Sequence, residues 1–146
     1  IQTICNDKIN QLRHARMFPD FKSLQAHMQR HAEILTPKFR MVINILEDKL
    51  EGLDILNWCN PNGGYFISVD TLPGCAKRVV ELCREAGVVL TAAGATYPYG
   101  KDPLDSNIRL APSYPPVDEL HQAMLLFCVA VKLATIEMQL KEDIHA

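Results

Sequence analysis

The sequence predicts an α+β fold in which a small, mostly antiparallel sheet packs against helices on one side. Three observations support this fold class. Apolar residues recur at helical spacing near both ends of the chain, a strand–turn–strand pattern follows the first helical region, and a further helix is flanked by short apolar strands. The chain has 146 residues, 48% hydrophobic and 22% charged, which is the size and composition of a single globular domain.

Two helices are predicted before the strands. Residues 3–17 form a short one, which Asn6 or Asp7 can cap. Residues 22–50 carry apolar side chains at helical spacing, but Pro37 falls inside this segment. Because an interior proline removes a hydrogen bond and clashes with the preceding turn, we expect a kink or a break just before it, with a fresh helix as the alternative.

A hairpin and several shorter elements follow. Residues 54–59 and 65–70 are predicted strands, joined by a four- or five-residue turn rich in Asn, Pro and Gly. The remaining predicted elements are a helix over residues 73–86, a short buried strand over 88–90, a loop over 91–103, a strand over 107–110 and a final helix over 117–140. The final helix is apolar on nearly all sides in its middle, so we expect it to be buried there.

The charge balance excludes some classes of partner. There are 15 Lys and Arg against 17 Asp and Glu, for a net charge of −2. General binders of nucleic acid or of membrane surfaces need a concentrated basic face, so neither partner is expected. The longest uninterrupted apolar run, residues 123–131, is too short to span a bilayer.

The cysteines and histidines do not predict a metal site. Five cysteines at irregular spacing, without a CxxC pair, predict reduced, packed thiols of a cytoplasmic protein. His27 and His31 lie four residues apart, a spacing at which two imidazoles can share a zinc ion. Met28 stands where the hydrolytic helix motif needs a glutamate, and no third ligand is suggested. We therefore expect two solvated histidines.

A single arginine interrupts the apolar strand at residues 107–110. Arg109 lies between Ile108 and Leu110. A guanidinium is costly to bury unless it is paired, and its planar fork of donors matches a carboxylate. Two interpretations stay open: either Arg109 faces solvent on the polar side of its strand, or it is partly buried and binds an anion.

Several segments of the chain recur in order in one known family. They are residues 7–14, the Gly63-Gly64-Tyr65-Phe66 stretch after a proline-containing turn, residues 76–91, the Ala93–Tyr97 stretch and residues 107–112. Taken together, they resemble the C-terminal small domain of fold-type I pyridoxal-phosphate aminotransferases, in the branch similar to aspartate aminotransferase. The resemblance covers residues 7–137.

The resemblance implies a role for each matched position. Arg109 would bind the α-carboxylate of the substrate, and Asn107 would flank it as part of the same substrate-binding strand. Gly94 and Tyr97 would belong to a loop that runs past the substrate pocket. Phe66, with the two glycines before it, would build the small sheet.

The resemblance also implies that this chain is one domain of a larger enzyme. Residues 1–21 and 22–36 would be lead-in and bridging helices from a large domain, with Pro37 near the bend. The full-length enzyme would use pyridoxal 5′-phosphate, act on amino acids and 2-oxo acids with aspartate as a candidate donor, and form a homodimer.

The residues that perform the family's chemistry have no counterpart in this chain. The family depends on a lysine that binds the cofactor as a Schiff base, on an aspartate at the pyridine nitrogen and on a phosphate cup. Lys8 lies in a segment that the family places downstream of that lysine, so the role does not pass to it. We therefore expect no catalytic, cofactor-binding or metal residue here, no bound cofactor and no activity in the isolated chain.

A different class of function fits the same resemblance. Aminotransferase-like domains also occur as amino-acid-sensing modules of transcriptional regulators, and a non-catalytic ligand-binding or dimerisation domain would have a similar sequence. No basic helix-turn-helix pattern supports the regulator. The segment upstream of this chain in its gene would distinguish these alternatives.

Overall fold

The structure is a computed structural model that describes residues 7–145, apart from the side chains of residues 142 and 145. Its elements are α1 (Lys8–Met17), α2 (Phe21–Leu50), β1 (Leu56–Trp58), β2 (Ile67–Thr71), α3 (Ala76–Glu85), a 3₁₀ turn (Pro98–Gly100), β3 (Asn107–Leu110) and α4 (Val117–His145). The predicted α+β fold is confirmed, and β3 has the predicted bounds.

The chain divides into two compact units, Ile1–Thr36 and Pro37–Ala146. In the first unit, the described residues form α1 and the first part of α2. The Asp7 carboxylate caps α1, as predicted, by accepting a 3.0 Å hydrogen bond from the amide of Asn10. Residues 3–6, the rest of this predicted helix, lie outside the described residues. No described side chain of the first unit is buried.

Helix α2 runs without interruption from Phe21 to Leu50 and contains Pro37. The predicted break, with a fresh helix after it, is therefore wrong, and a kink in a continuous helix is the alternative that remains. Glu33, whose carbonyl loses its amide partner at Pro37, is exposed, so water can supply the missing hydrogen bond. The end of the helix is anchored by buried side chains: Val42, Ile43, Ile45, Leu46 and Leu50.

The three strands form one antiparallel sheet in the order β1-β2-β3. Every second residue of β2 and β3 points into the core. On the core side these residues are Ile67, Val69, Ile108 and Leu110. The residues between them form what we call the open face of the sheet: Ser68, Asp70, Asn107 and Arg109.

The β1–β2 hairpin has shorter strands and a longer turn than predicted. Residues 59–66 separate the strands, and pairing extends only one bond further, from the amide of Cys59 to the carbonyl of Ser68 at 3.0 Å. Pro61 has no amide hydrogen to donate, and the two glycines that follow weaken a strand. The ladder therefore stops before the predicted bounds.

Residues 88–90 do not form the predicted buried strand. The amide of Val88 closes the end of α3 by donating to the carbonyl of Cys83 over 2.8 Å, and the side chain of Val89 is 88% exposed. Within the described part of the chain, no strand pairs with this segment. An apolar run without a neighbouring strand has nowhere to place its backbone hydrogen bonds as a sheet.

Helix α4 packs one side on the core and leaves the other exposed. Phe127 and Val131 are fully buried, whereas Val129 is 61% exposed. The expectation that the middle of this helix is buried all round is therefore wrong. Residues Val117–Lys141 are long and apolar enough to cross a membrane by length and composition, a test that core helices of soluble proteins also pass.

Candidate functional site

The open face brings two of the four predicted site residues onto one strand. In the β2–β3 pairing, Asn107 lies opposite Asp70 and Arg109 lies opposite Ser68. The strand alternates because the residues on either side of Arg109 are needed in the core. Hydrophobic packing of the other face therefore fixes which way the arginine points.

Arg109 is partly buried and has no acidic partner within the part of the chain that the structure describes. Its Nε atom is buried without a hydrogen-bond partner, and none of the ion pairs among the described residues includes it. Its guanidinium carbon lies 4.3 Å from the centroid of the Phe66 ring. The structure thus shows partial burial of Arg109 rather than full exposure to solvent, and its binding of an anion stays a prediction.

Arg78 shows what an arginine with internal partners looks like in this protein. Its Nε and Nη2 atoms donate to the two carboxylate oxygens of Glu137 over 2.7 and 3.1 Å, which joins α3 to α4. These bonds hold the pKa of the Glu137 carboxyl below its ordinary value. Arg78 thus joins two helices, whereas the Nε atom of Arg109 has no hydrogen-bond partner among the described residues.

Asn107 is a buried junction and is only 7% exposed. Its amide nitrogen donates to the hydroxyl of Ser68 over 2.9 Å and to the carboxylate of Asp70 over 2.7 Å. Its side-chain oxygen accepts a 2.6 Å hydrogen bond from Thr96. With its donors and its acceptor engaged, Asn107 is suited to hold β3 in place next to Arg109.

The loop before β3 carries the other two predicted residues. The amide of Gly94 donates to the carbonyl of Asn107 over 3.4 Å, and the amide of Tyr97 donates to Gly94 over 2.9 Å. Gly94 has φ +78°, and a Cβ atom there would lie 2.7 Å from the carbonyl oxygen of Gly100. Only glycine fits this close approach. Tyr97 is 37% exposed, and the cation–π contact of Arg109 is with Phe66 and not with this ring.

Asp102 organises the entry into β3, and sequence analysis did not single it out. One carboxylate oxygen accepts hydrogen bonds from the amides of Ser106 and Asn107, both at 2.8 Å. The amide of Asn107 is the largest cause that holds the pKa of Asp102 below its ordinary value, against the opposing effect of burial. The Asp-Pro-Leu-Asp stretch is a turn sequence and was the available signal.

Other parts of the described chain do not add to this site. No group of three or more His, Cys, Asp or Glu side chains within residues 7–145 is placed to hold a metal ion. The rings of His27 and His31 lie 4.5 Å apart on α2. A shallow groove beside α1 is lined by Asp7, Asn10, Gln11 and His14 and contains none of the predicted site residues.

The buried cysteines are poor nucleophiles. Burial raises the pKa of the thiols of Cys83 and Cys128 to about 11. Both lie in the core, together with Cys75. The predicted packing of the thiols holds for these three residues, whereas Cys59 is exposed. Cys5 lies outside the described residues.

A family model described as aspartate amino-transferase matches residues 1–143. The chain belongs to the aspartate aminotransferase family. An aspartate aminotransferase from Corynebacterium glutamicum is 49% identical over 137 residues, which is 94% of this chain and 32% of that protein. The crystal structure of an aspartate transaminase from the same species superimposes with a TM-score of 0.87 at 48% identity, again over 94% of this chain and 32% of the other. The chain thus spans about a third of the length of these relatives.

A more distant structure shares the fold. An α-aminoadipate aminotransferase from Thermus thermophilus, solved in complex with N-(5′-phosphopyridoxyl)-L-leucine, has a TM-score of 0.66 at 14% identity, over 77% of this chain and 28% of that one. The aminotransferase resemblance predicted from the sequence, and the small-domain fold that it implied, are therefore confirmed.

Proposed function

We propose that the full-length protein is a pyridoxal-phosphate-dependent aminotransferase and that this chain supplies the arginine for the α-carboxylate of its substrate. The reaction would move an amino group between an amino acid, with aspartate as the expected donor, and a 2-oxo acid. The observation that supports the role of this chain is the placement of Arg109. Its guanidinium lies on the open face of the sheet, is partly buried and has no acidic partner among the described side chains.

The donor geometry of Arg109 suits a carboxylate. A guanidinium presents parallel N–H groups in a plane, so a carboxylate can accept two of them at once. Partial burial strengthens this attraction because fewer water molecules screen it. An amino acid held at its carboxylate has a fixed orientation, and correct orientation of the reacting bond can lower a barrier by several kcal/mol, roughly up to 7–11 kcal/mol in favourable cases.

The cofactor belongs to the part of the protein outside this chain. Pyridoxal phosphate supplies an electron sink when it is bound. On the open face the side-chain amide of Asn107 is already engaged with Ser68 and Asp70, so Arg109 is the group that remains to bind a carboxylate. The phosphopyridoxyl-leucine complex of the Thermus thermophilus relative supports the choice of cofactor. The proposal includes a large domain that holds it, a homodimer, and an isolated chain without transaminase activity.

Arg109→Lys in the full-length enzyme tests the proposal. A lysine keeps the charge but cannot form the two-point contact, so kcat/KM for the amino donor should fall roughly 30- to 1000-fold. This corresponds to a loss of about 2–4 kcal/mol of transition-state stabilisation. Arg84→Lys is the matched control, because Arg84 is an exposed arginine in the last turn of α3. A loss of less than about tenfold at Arg109 contradicts the proposed role.

A further inference from the structure

We propose that Phe66 is a positioning residue: its ring supports one face of the Arg109 guanidinium and keeps the in-plane N–H donors open to a substrate carboxylate. This inference rests on the proposed carboxylate-binding role of Arg109. Phe66 touches neither the cofactor nor the reacting atoms in this proposal, and it acts through the arginine alone.

The sheet register places the two side chains together. Ser68 lies directly opposite Arg109, and Phe66 precedes Ser68 by two residues, so Phe66 points to the open face as well. Residues in this diagonal relationship on neighbouring strands are within reach when one side chain is aromatic and the other is long. The observed distance of 4.3 Å from the guanidinium carbon to the ring centroid lies within the range of a cation–π contact.

An aromatic ring beside an arginine leaves the N–H donors of its guanidinium free, whereas an acidic side chain occupies them. Glu137 accepts hydrogen bonds from two N–H groups of Arg78. An acidic side chain bound to Arg109 in the same way would compete with the substrate carboxylate for these donors. A ring attracts the cation through its π face and takes none of the in-plane donors. The Nε atom of Arg109 is buried and has no hydrogen-bond partner in the described part of the chain, as expected when a ring and not a carboxylate supports the guanidinium.

The exposure of Phe66 argues against a role in core packing. Its side chain is 44% exposed, and it does not belong to the buried core cluster or to the partly buried side chains around it. Tyr65 precedes it and is 56% exposed. Tyr65 therefore offers a control at a neighbouring aromatic position of similar exposure.

The test measures charge-selective binding in the full-length holoenzyme. Propionate serves as a competitive carboxylate probe and propionamide as its uncharged match. In Phe66→Leu, the inhibition constant for propionate should rise roughly 3- to 30-fold, the range expected when a cation–π contact is lost. The constant for propionamide should not change. In the same variant, KM for the amino donor should rise by a factor similar to that of the propionate inhibition constant. The change in kcat should be smaller, because the lost interaction acts in substrate binding.

Conservative variants separate positioning from a general structural effect. Phe66→Tyr keeps the π face and should restore the propionate constant to within about twofold of the wild type. Phe66→Met keeps apolar volume without a ring and should behave like Phe66→Leu. It provides the same test if the leucine variant does not fold. Tyr65→Leu should leave both constants unchanged.

The outcomes distinguish this inference from the proposed function. If Arg109→Leu weakens propionate binding and the Phe66 variants without a ring do not, the positioning role is wrong and the carboxylate-binding role stands. Equal weakening of propionate and propionamide in Phe66→Leu overturns the inference as well, since it indicates general damage to the pocket. An unchanged propionate constant in Arg109→Leu overturns both.

Discussion

The hydroxyl of Thr96 donates to the side-chain oxygen of Asn107 over 2.6 Å and so fastens the loop before β3 to the strand that carries Arg109. The amide nitrogen of the same Asn107 binds Ser68 and Asp70 on β2. One buried side chain thus joins three segments around the arginine. The position of Arg109 therefore depends on this junction as well as on the packing of the sheet.

Asn107→Ala should destabilise the protein and loosen the site. It leaves Ser68, Asp70 and Thr96 without their partner, and loss of a buried hydrogen-bonded group costs about 1–3 kcal/mol. The melting temperature of the full-length protein measures this loss. Asn57→Ala is the control, because Asn57 is an exposed asparagine on β1. Equal melting temperatures for the two variants would show that the junction is unimportant.

Gly94→Ala should lower the stability of the protein more than the same substitution at another glycine with a positive φ angle. The left-handed conformation alone costs an alanine about 1–2 kcal/mol. At Gly94 the new Cβ would also lie 2.7 Å from the carbonyl oxygen of Gly100, whereas at Gly87, with φ +87°, it would meet no atom within 4 Å. Thermal unfolding of Gly94→Ala and Gly87→Ala compares the two costs. If both variants unfold at the same temperature, the contact with Gly100 is not restrictive.

The parts of the fold that the sequence predicts well are those with a local pattern. Strand β3 has its predicted bounds, and its apolar residues Ile108 and Leu110 are buried on either side of Arg109. Arg109 was recognisable because a lone charge inside such a strand needs an explanation. Asp7 was recognisable as a helix cap because a short acidic side chain directly before a helical segment can accept hydrogen bonds from its first amides.

The parts that sequence analysis missed depend on distant partners. Thr96 and Asp102 meet Asn107 across an irregular loop, and no periodic signal marks such contacts. Residues 88–90 are apolar enough for a strand, but β-structure also requires a neighbouring strand. The exposed side of α4 could not be predicted, because both sides of its middle are apolar and only packing decides which side is buried.

Asp102→Asn should lower the melting temperature of the protein at neutral pH but not in acid. The pKa of Asp102 is lowered in the folded state, so its contribution to stability is complete above the ordinary value of 3.8 and is lost as the pH falls through the lowered value. The melting temperatures of wild type and variant should differ at pH 7 and converge below pH 3.8. Asp143→Asn, at an exposed site, should show no such trend. A constant difference across this range would contradict the assignment.

Alkylation of the native protein should separate the cysteines by burial. At pH 8 only about one in a thousand thiols with a pKa near 11 is ionised, so Cys83 and Cys128 should resist iodoacetamide. Cys59 is exposed and should react. Peptide mass mapping before and after unfolding in urea identifies the modified positions. Rapid modification of Cys83 in the native protein would contradict the packing of α3 described above.

The most direct measurement of carboxylate binding by Arg109 changes the arginine and the carboxylate together. In the full-length enzyme, kcat/KM is measured for aspartate and for its α-amide, in wild type, in Arg109→Leu and in the control Arg84→Leu. Wild type and Arg84→Leu should prefer the free carboxylate by about 100-fold or more, as expected for a charge-assisted two-point contact. Arg109→Leu should lose nearly all of this preference; a variant that keeps the wild-type preference would show that another group binds the α-carboxylate.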